Sequence, residues 1–405
     1  MKKVIVFGTG ESAKKVLKAI RNENAEIIAF ADNDFNKHGQ IMNGVEIINP
    51  KTIIDREFDV ILISILKYKS VEKQLSEYGI EADKMLSYFD PDACEKDTFT
   101  ELINGYIQLR DIYDDKLFKM SVKFENIPYE VANSSHLFFP EVKNITETIE
   151  YLVKNKCSIS RYGDGEFKLM FGENLGFQDY DERLADRLKE VLNVQKDNHI
   201  VGILNVYGSL DEYEDYLQEY FRKYLVRTRK FQYELLNHNK TYYDAFITRP
   251  YISYKDRSGA AKWFEQMKQI WNEKDLLIVE GEKSRLGVGN DLFANANSIK
   301  RIICPSVNAF EKYDEILASV KAQSKDYLVM IALGPTATVL AYDLAEVGYQ
   351  AIDIGHIDVE YEWFKMGATE KVPLKNKFTN EAFGGNGELS FTDGKYEEEI
   401  IKYIV

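Results

Sequence analysis

Ser158-Ile-Ser-Arg-Tyr-Gly-Asp-Gly-Glu-Phe167 leads from an apolar run into an acidic pair set among glycines. Cys157 to Ser160 follows a helical stretch and reads as the end of a buried strand. Gly163 and Gly165 admit backbone angles closed to other residues. Such a turn is expected to project Asp164 and Glu166 from the carboxyl end of a strand, where α/β proteins bind ligands. Two carboxylates held close together suit a hard divalent ion, Mg2+ or Mn2+, which takes one or two carboxylates and then phosphate oxygens. Arg161, three residues upstream of Asp164, adds a fork matched to phosphate or carboxylate. With 66 acidic residues in the chain, acidic-x-acidic triplets arise by chance, so the triplet gains its weight from this context.

Other segments share the same character. Asp275 to Val279 is an apolar strand that empties into Glu280-Gly-Glu282-Lys283-Ser-Arg285-Leu-Gly287-Val-Gly289. Those glycines suit a phosphate cradle, which needs exposed backbone N–H groups. In Ala351-Ile-Asp-Ile-Gly-His-Ile-Asp-Val-Glu360, residues His356, Asp358 and Glu360 recur at period two, which a strand would turn to one face. Arg249-Pro-Tyr251 and Gly334-Pro-Thr-Ala-Thr338 add two more strand-end turns. Each has a bland reading as solvated loop charge or, for His356, a satisfied core histidine. His356 is assigned instead as a hydrogen-bond partner of a diphosphate or an acceptor, because neutral imidazole both donates and accepts. Trp263, Trp271 and Trp363 are expected in the core, with Trp363 the candidate sugar platform.

Together these residues resemble the GT-D glycosyltransferase family, sugar transferases of bacterial glycan assembly. The matching stretches are Arg161-Tyr-Gly-Asp-Gly-Glu166, Ile247-Thr-Arg-Pro-Tyr251, Glu280 to Asn290 and Asp353-Ile-Gly-His-Ile-Asp358, within roughly 124–383. The resemblance implies a nucleotide-sugar donor, expected to be a UDP-sugar, and a divalent Mn2+ or Mg2+ held at Asp164 and Glu166. In that reading Arg161, Arg249, Glu280, Glu282, Lys283, Arg285, Gly287, Gly289 and His356 contact substrate. The metal would stabilise the departing UDP, and Asp358 or Glu360 would take the acceptor proton if the reaction inverts configuration.

The bulk composition is that of an ordinary globular protein, and 405 residues suffice for two domains. A net charge of −14 argues against a nucleic-acid partner, which needs clustered cations. Cys94, Cys157 and Cys304 form no close pair, and the Met1-Lys-Lys start carries no leader pattern. No apolar run is long enough to span a membrane. A cytoplasmic enzyme is expected, with peripheral membrane association and a homo-oligomer both open, and a glycan or glycoprotein as acceptor.

The fold class expected is α/β with two Rossmann-like domains. Residues 4–10, Ile27 to Asp32, Gly44 to Pro50 and Val60 to Ile65 read as strands, with helices at Ser12 to Arg21 and Val71 to Tyr78. Gly8-x-Gly10-x-x-Ala13, with Ser12 in the turn and Asp32 ending the second strand, is a dinucleotide-type fingerprint on a unit of only about 95 residues. This unit resembles the amino-terminal domain of PglD-type sugar O-acyltransferases. Sugar-nucleotide binding, a structural or regulatory role and NAD binding all stay open for it. Residues 96–123 read as a connecting helix and 124–405 as the catalytic domain, an alternation of helices and buried strands. The rival functions are an NAD(P)-dependent oxidoreductase, a metal-dependent nucleotide-sugar phosphohydrolase and a non-enzymatic sensor.

Overall fold

The computed structural model describes residues 2–20, 25–65, 67–87, 105–130, 137–374, 377 and 393–404. The chain divides into two compact units, Met1–Ser121 and Val122–Val405. The division falls inside a helix, Gly105–Glu130. Cys94 and the first part of the expected connecting helix, with Phe99, Leu102 and Ile103, lie outside the described residues.

The first unit carries strands β1 (Lys2–Phe7), β2 (Ala25–Ala31), β3 (Ile41–Met42), β4 (Val45–Ile48), β5 (Val60–Ile63) and β6 (Met85–Ser87). Their order across the sheet is β3-β4-β2-β1-β5-β6, parallel except for the β3–β4 pair. Val4 to Phe7 and Val60 to Ile63 are buried on both faces, as parallel strands covered by helices must be. Helices α1 (Glu11–Ile20) and α2 (Tyr68–Glu77) are the crossovers read from the sequence. Strand β4 lies within the expected Gly44 to Pro50 strand, whereas the short β3 and the edge strand β6 are additions that the sequence pattern did not show. Gly8 turns the chain at φ +101°, where a Cβ would lie 2.8 Å from Ser64 Oγ.

The second unit is built on a sheet of order β15-β12-β11-β13-β14-β8-β9-β10-β7, every pair parallel. The strands are β7 (Glu141–Val142), β8 (Ser158–Tyr162), β9 (His199–Ile203), β10 (Thr241–Asp244), β11 (Asp275–Gly281), β12 (Ser298–Cys304), β13 (Leu328–Ala332), β14 (Gln350–Asp353) and β15 (Ile400–Tyr403). The helices that bear on the site are α5 (Asp164–Met170), α7 (Asp215–Leu235) and α11 (Ile357–Met366), numbering Gly105–Glu130 as α3, Ile145–Asn155 as α4, Glu182–Leu192 as α6, Ala260–Lys268 as α8, Tyr313–Lys321 as α9 and Pro335–Glu346 as α10. Strands such as Leu276 to Val279 and Val329 to Ile331 are wholly buried, which is why they read as continuous apolar runs. Trp363 belongs to this core: it is buried, and its Nε1 donates to Val372 O at 2.9 Å. It is not a sugar platform.

One expectation of local structure is overturned. Strand β14 ends at Asp353, and Asp358 and Glu360 lie on helix α11, with His356 just before its first turn. On a helix, residues two apart diverge, so the three side chains do not share a face.

Candidate active site

The acidic pair sits at the carboxyl edge of the sheet, but in a helix rather than a loop. Asp164 and Glu166 fall in the first turn of α5, directly after β8. Carboxylates are favoured there by the unpaired N–H groups and the positive end of the helix dipole. The glycines serve close packing and not unusual angles. Gly163 has φ −91°, and a Cβ on it would lie 3.2 Å from Glu166 Oε2. A Cβ on Gly165 would lie 3.2 Å from Leu175 Cδ1.

The two carboxylates have different surroundings. Gly163 N donates to Glu166 Oε2 at 2.6 Å. Burial, then the nearby Asp353 charge, pushes the Glu166 carboxyl up to about 7, against backbone N–H groups of Glu166 itself and of Gly163. Asp164 is half-exposed and accepts from Lys168 Nζ at 2.5 Å and from the Tyr220 hydroxyl of α7. Burial and then Asp164 push the Tyr220 phenol up to about 12, so it stays a donor. Lys168 and Tyr220 escaped the sequence reading. A helical reading of the turn would have placed Lys168 four residues from Asp164, while Tyr220 was hidden among the aromatics of α7.

Arg161 was expected to meet phosphate. Instead its Nε donates to Asp353 O and its Nη2 to Asp353 Oδ1, both at 2.8 Å, while Nη1 donates to Ala245 O at 3.1 Å. The guanidinium is therefore spent on tying β8, β14 and the end of β10 together. Burial raises the Asp353 carboxyl, opposed by Arg161.

The residues after β11 mostly hold the fold. Glu280 is fully buried, receives Arg301 Nη1 at 2.6 Å and Leu286 N at 2.7 Å, and so has no carboxylate oxygen left for substrate. Arg285 is buried, with its guanidinium over the Tyr396 ring. Gly287 and Gly289 do take positive φ, +74° and +82°. Yet Gly287 N donates to Asp358 Oδ1 at 3.0 Å, so that amide is turned away from any phosphate cradle. Glu282 is exposed and accepts from Ser306 Oγ at 3.1 Å, and Lys283 is exposed beside it.

Asp358 and Glu360, read as alternative bases, are both buried in structural bonds. Asp358 accepts from Gly287 N, from Asn290 Nδ2 at 2.7 Å and from Lys377 Nζ at 2.6 Å. Glu360 Oε2 accepts from the backbone of Tyr251 at 3.1 Å and of Ile252 at 3.0 Å. Those bonds fix the Arg249-Pro-Tyr251 turn to α11. The same turn brings Arg249 Nη2 to 3.1 Å from His356 Nδ1, so two residues 107 apart in sequence meet as one pair.

In the first unit, the Asp32 carboxylate accepts from the Thr9 hydroxyl, from Lys37 Nζ at 3.1 Å and from Asp34 N at 3.0 Å. These partners outweigh burial and hold it below the usual carboxylate range. Gly8 makes the turn; Gly10 and Ser12 lie at the start of α1, and a Cβ on Gly10 would meet open space.

Among the described residues, no group of three or more His, Cys, Asp or Glu could cage a metal ion. Asp164 and Glu166, at the start of α5, are the two carboxylates that could contribute to an oxygen site of the kind Mg2+ or Mn2+ shares with phosphates and water. The family profile of the glycosyltransferase GT-D fold matches residues 159–382, more than half of the chain. The chain belongs to the GT-D glycosyltransferase family. A second profile, C2185-like, N-terminal, matches residues 1–86.

Relatives of this GT-D protein bear out the assignment. A probable glycosyl transferase Gly of Streptococcus gordonii is 41% identical over 262 residues, 64% of this chain and 38% of that protein. The glycosyltransferase GlyD of Streptococcus pneumoniae is 39% identical over 267 residues, 65% of this chain and 33% of that protein. The chain thus spans a third or slightly more of these curated relatives. Two solved structures each match about two thirds of the chain. A domain of unknown function 1792, described as having a distinct glycosyltransferase fold, is 44% identical with TM-score 0.63 over 66% of this chain and 96% of its own. A glycosyltransferase of the same kind from Streptococcus sanguinis is 40% identical with TM-score 0.64, over 66% of this chain and all of its own. Among the described residues of this GT-D protein, no helix is long and apolar enough to cross a membrane.

Proposed function

We propose that this GT-D chain transfers a hexose from a nucleotide sugar, a UDP-sugar, to a hydroxyl of a glycan or glycoprotein in bacterial surface glycan assembly. One observation carries the reading: Asp164 and Glu166 stand in the first turn of a helix at the carboxyl edge of a parallel sheet, with Glu166 held beside the Asp353 charge. A cation held by Asp164 and Glu166 would relieve that repulsion and would offset the charge of a diphosphate. Mn2+ or Mg2+ at Asp164 and Glu166 would supply electrostatic stabilisation of the UDP leaving group.

The chain's own residues supply the rest. Lys168 and Tyr220 orient the Asp164 carboxylate until it is claimed. Arg249 and His356 face the same sheet edge from the ends of β10 and β14 and suit an anionic substrate group. Lys283 is the exposed cation of the turn after β11. The Arg161–Asp353 bond holds the strand ends in register while substrate enters.

The test is a screen of UDP-sugars, UDP and NAD for binding and turnover by the full chain, with Mn2+ or a chelator, with and without glycan acceptors. Metal-dependent transfer with release of UDP is expected. Turnover of NAD(P)H, or sugar release at one rate regardless of acceptor, would replace this reading with a rival.

A further inference from the structure

Helix α3, Gly105–Glu130, has two unlike faces. One bears on α7, where Asn126 Oδ1 accepts from Arg229 Nη2 at 2.8 Å and Glu130 pairs with Arg222 at 2.7 Å. Val122 and Asn126 are buried on that side. Leu117, Met120, Phe124 and Ile127 are instead exposed, at 61%, 54%, 64% and 41%. Residues two apart lie on nearly opposite sides of a helix, so Phe124 stands away from both Val122 and Asn126. Single exposed apolar side chains are ordinary; a row of four along one helix face is not.

The row has the spacing of a helix–helix seam. Leu117, Met120, Phe124 and Ile127 alternate steps of three and four, the a and d places of a heptad. Counted back along the sequence, the same register falls on Tyr113, Arg110, Tyr106, Ile103 and Phe99. Arg110 is the one charged residue in that series, and a single polar a place fixes the register of a coiled coil. The borders of the seam differ in charge. Lys116 and Lys123 precede Leu117 and Phe124 on one side; Asp114 and Ser121 follow Tyr113 and Met120 on the other. A parallel pair lays the first border of each helix against the second border of its neighbour, basic against acidic. An antiparallel pair sets like borders together, lysines against lysines.

We propose that two copies of this chain associate through α3 in a parallel, in-register coiled coil, with Leu117, Met120, Phe124 and Ile127 at its seam. The pairing is two-fold, so each copy offers the same stripe and covers the same stripe on the other. The apolar row is then removed from water while the face that bears on α7 is left undisturbed. A membrane surface would also take an apolar helix face, but such helices carry Lys and Arg around the polar side. Here the border that holds Asp114 and Ser121 bears no cation along α3. The association is independent of the glycosyl-transfer reading.

Sedimentation velocity of the full chain tests the association, and a dimer at micromolar concentration is expected. Leu117→Glu with Phe124→Glu should give a monomer whose circular dichroism matches the wild type, because both side chains face solvent within one chain. Cysteine cross-linking tests the orientation, in a Cys94→Ser background, since Cys157 and Cys304 are buried. Leu117→Cys and Phe124→Cys, made separately, should each yield a disulfide-linked dimer on mild oxidation. The two positions lie a heptad apart, about 10 Å along the axis, and a disulfide needs Cα atoms within about 7 Å. An antiparallel pair can therefore bring only one of them beside its own copy. Cross-linking at one position alone, or at neither, overturns the parallel pairing. A monomeric wild type overturns the association, and one that also floats with phosphatidylserine vesicles assigns the stripe to a membrane. A folded double-glutamate variant that stays dimeric places the interface elsewhere; should that variant lose its fold, the cysteine pair decides by itself.

Discussion

The Arg161 guanidinium lies so close to Gly355 that a Cβ built on that glycine would stand 1.9 Å from Arg161 Nη2. The bare backbone at Gly355 is what lets Arg161 reach Asp353 and Ala245 O. Gly355→Ala therefore combines an unfavourable φ of +48° with eviction of an arginine from a buried carboxylate. A loss of about 3 kcal/mol or more is expected in urea unfolding, with turnover falling too. A neutral result would mean that Arg161 can leave Asp353 at little cost.

Glu166 should make stability depend on pH. Its carboxyl titrates at about 7 in the fold against an ordinary 4.5. The folded state therefore binds the proton more tightly, and stability falls as pH rises from 4.5 to 7 and levels off above. Without divalent ions, Glu166→Gln should gain on the wild type by up to about 3 kcal/mol between pH 4.5 and pH 8. An advantage that did not change with pH would place Glu166 in an ordinary solvated setting.

Turnover should separate the two carboxylates from the fold. Asp164→Asn and Glu166→Gln are expected to keep the circular dichroism of the wild type and to lose Mn2+-dependent UDP-sugar turnover by about 100-fold or more. Near-normal rates at saturating metal would remove the metal from this pair.

The basic turn after β11 should divide into one cation for substrate and one for structure. Lys283 is exposed, whereas Arg285 is buried beside Tyr396. Lys283→Ala should weaken UDP more than uridine. Arg285→Ala should lower the melting temperature and weaken both ligands alike, if at all. The reverse pattern in a binding titration would return Arg285 to the phosphate site.

Much of this was legible in the chain. Buried parallel strands such as Leu276 to Val279 announce themselves as apolar runs, and the strand-end motifs placed Asp164, Arg249 and His356 at one edge of one sheet. What the residues could not show was the partner each side chain takes. Arg161 and Glu280 look like ligand residues because ion pairs use the same groups as phosphate sites. Their partners, Asp353 and Arg301, lie 192 and 21 residues away. The period-two reading of His356, Asp358 and Glu360 failed because the chain turns at Gly355, between the end of β14 and the start of α11, and a glycine in a short apolar segment does not declare a turn into a helix.

Asp358 gives the sharpest test of that distinction. As the base of an inverting transfer it would contribute about 100-fold or more to kcat. The structure gives its oxygens to Gly287 N, Asn290 and Lys377. In Asp358→Asn, the remaining Oδ1 can still accept from Gly287 and Asn290, but an amide then faces the Lys377 ammonium. The expected outcome is a stability loss of about 1–3 kcal/mol, with kcat within about tenfold of the wild type under conditions where the variant is folded. A folded Asp358→Asn protein with kcat lowered a thousandfold would show that Asp358 leaves its partners in the enzyme–substrate complex and takes the acceptor proton after all.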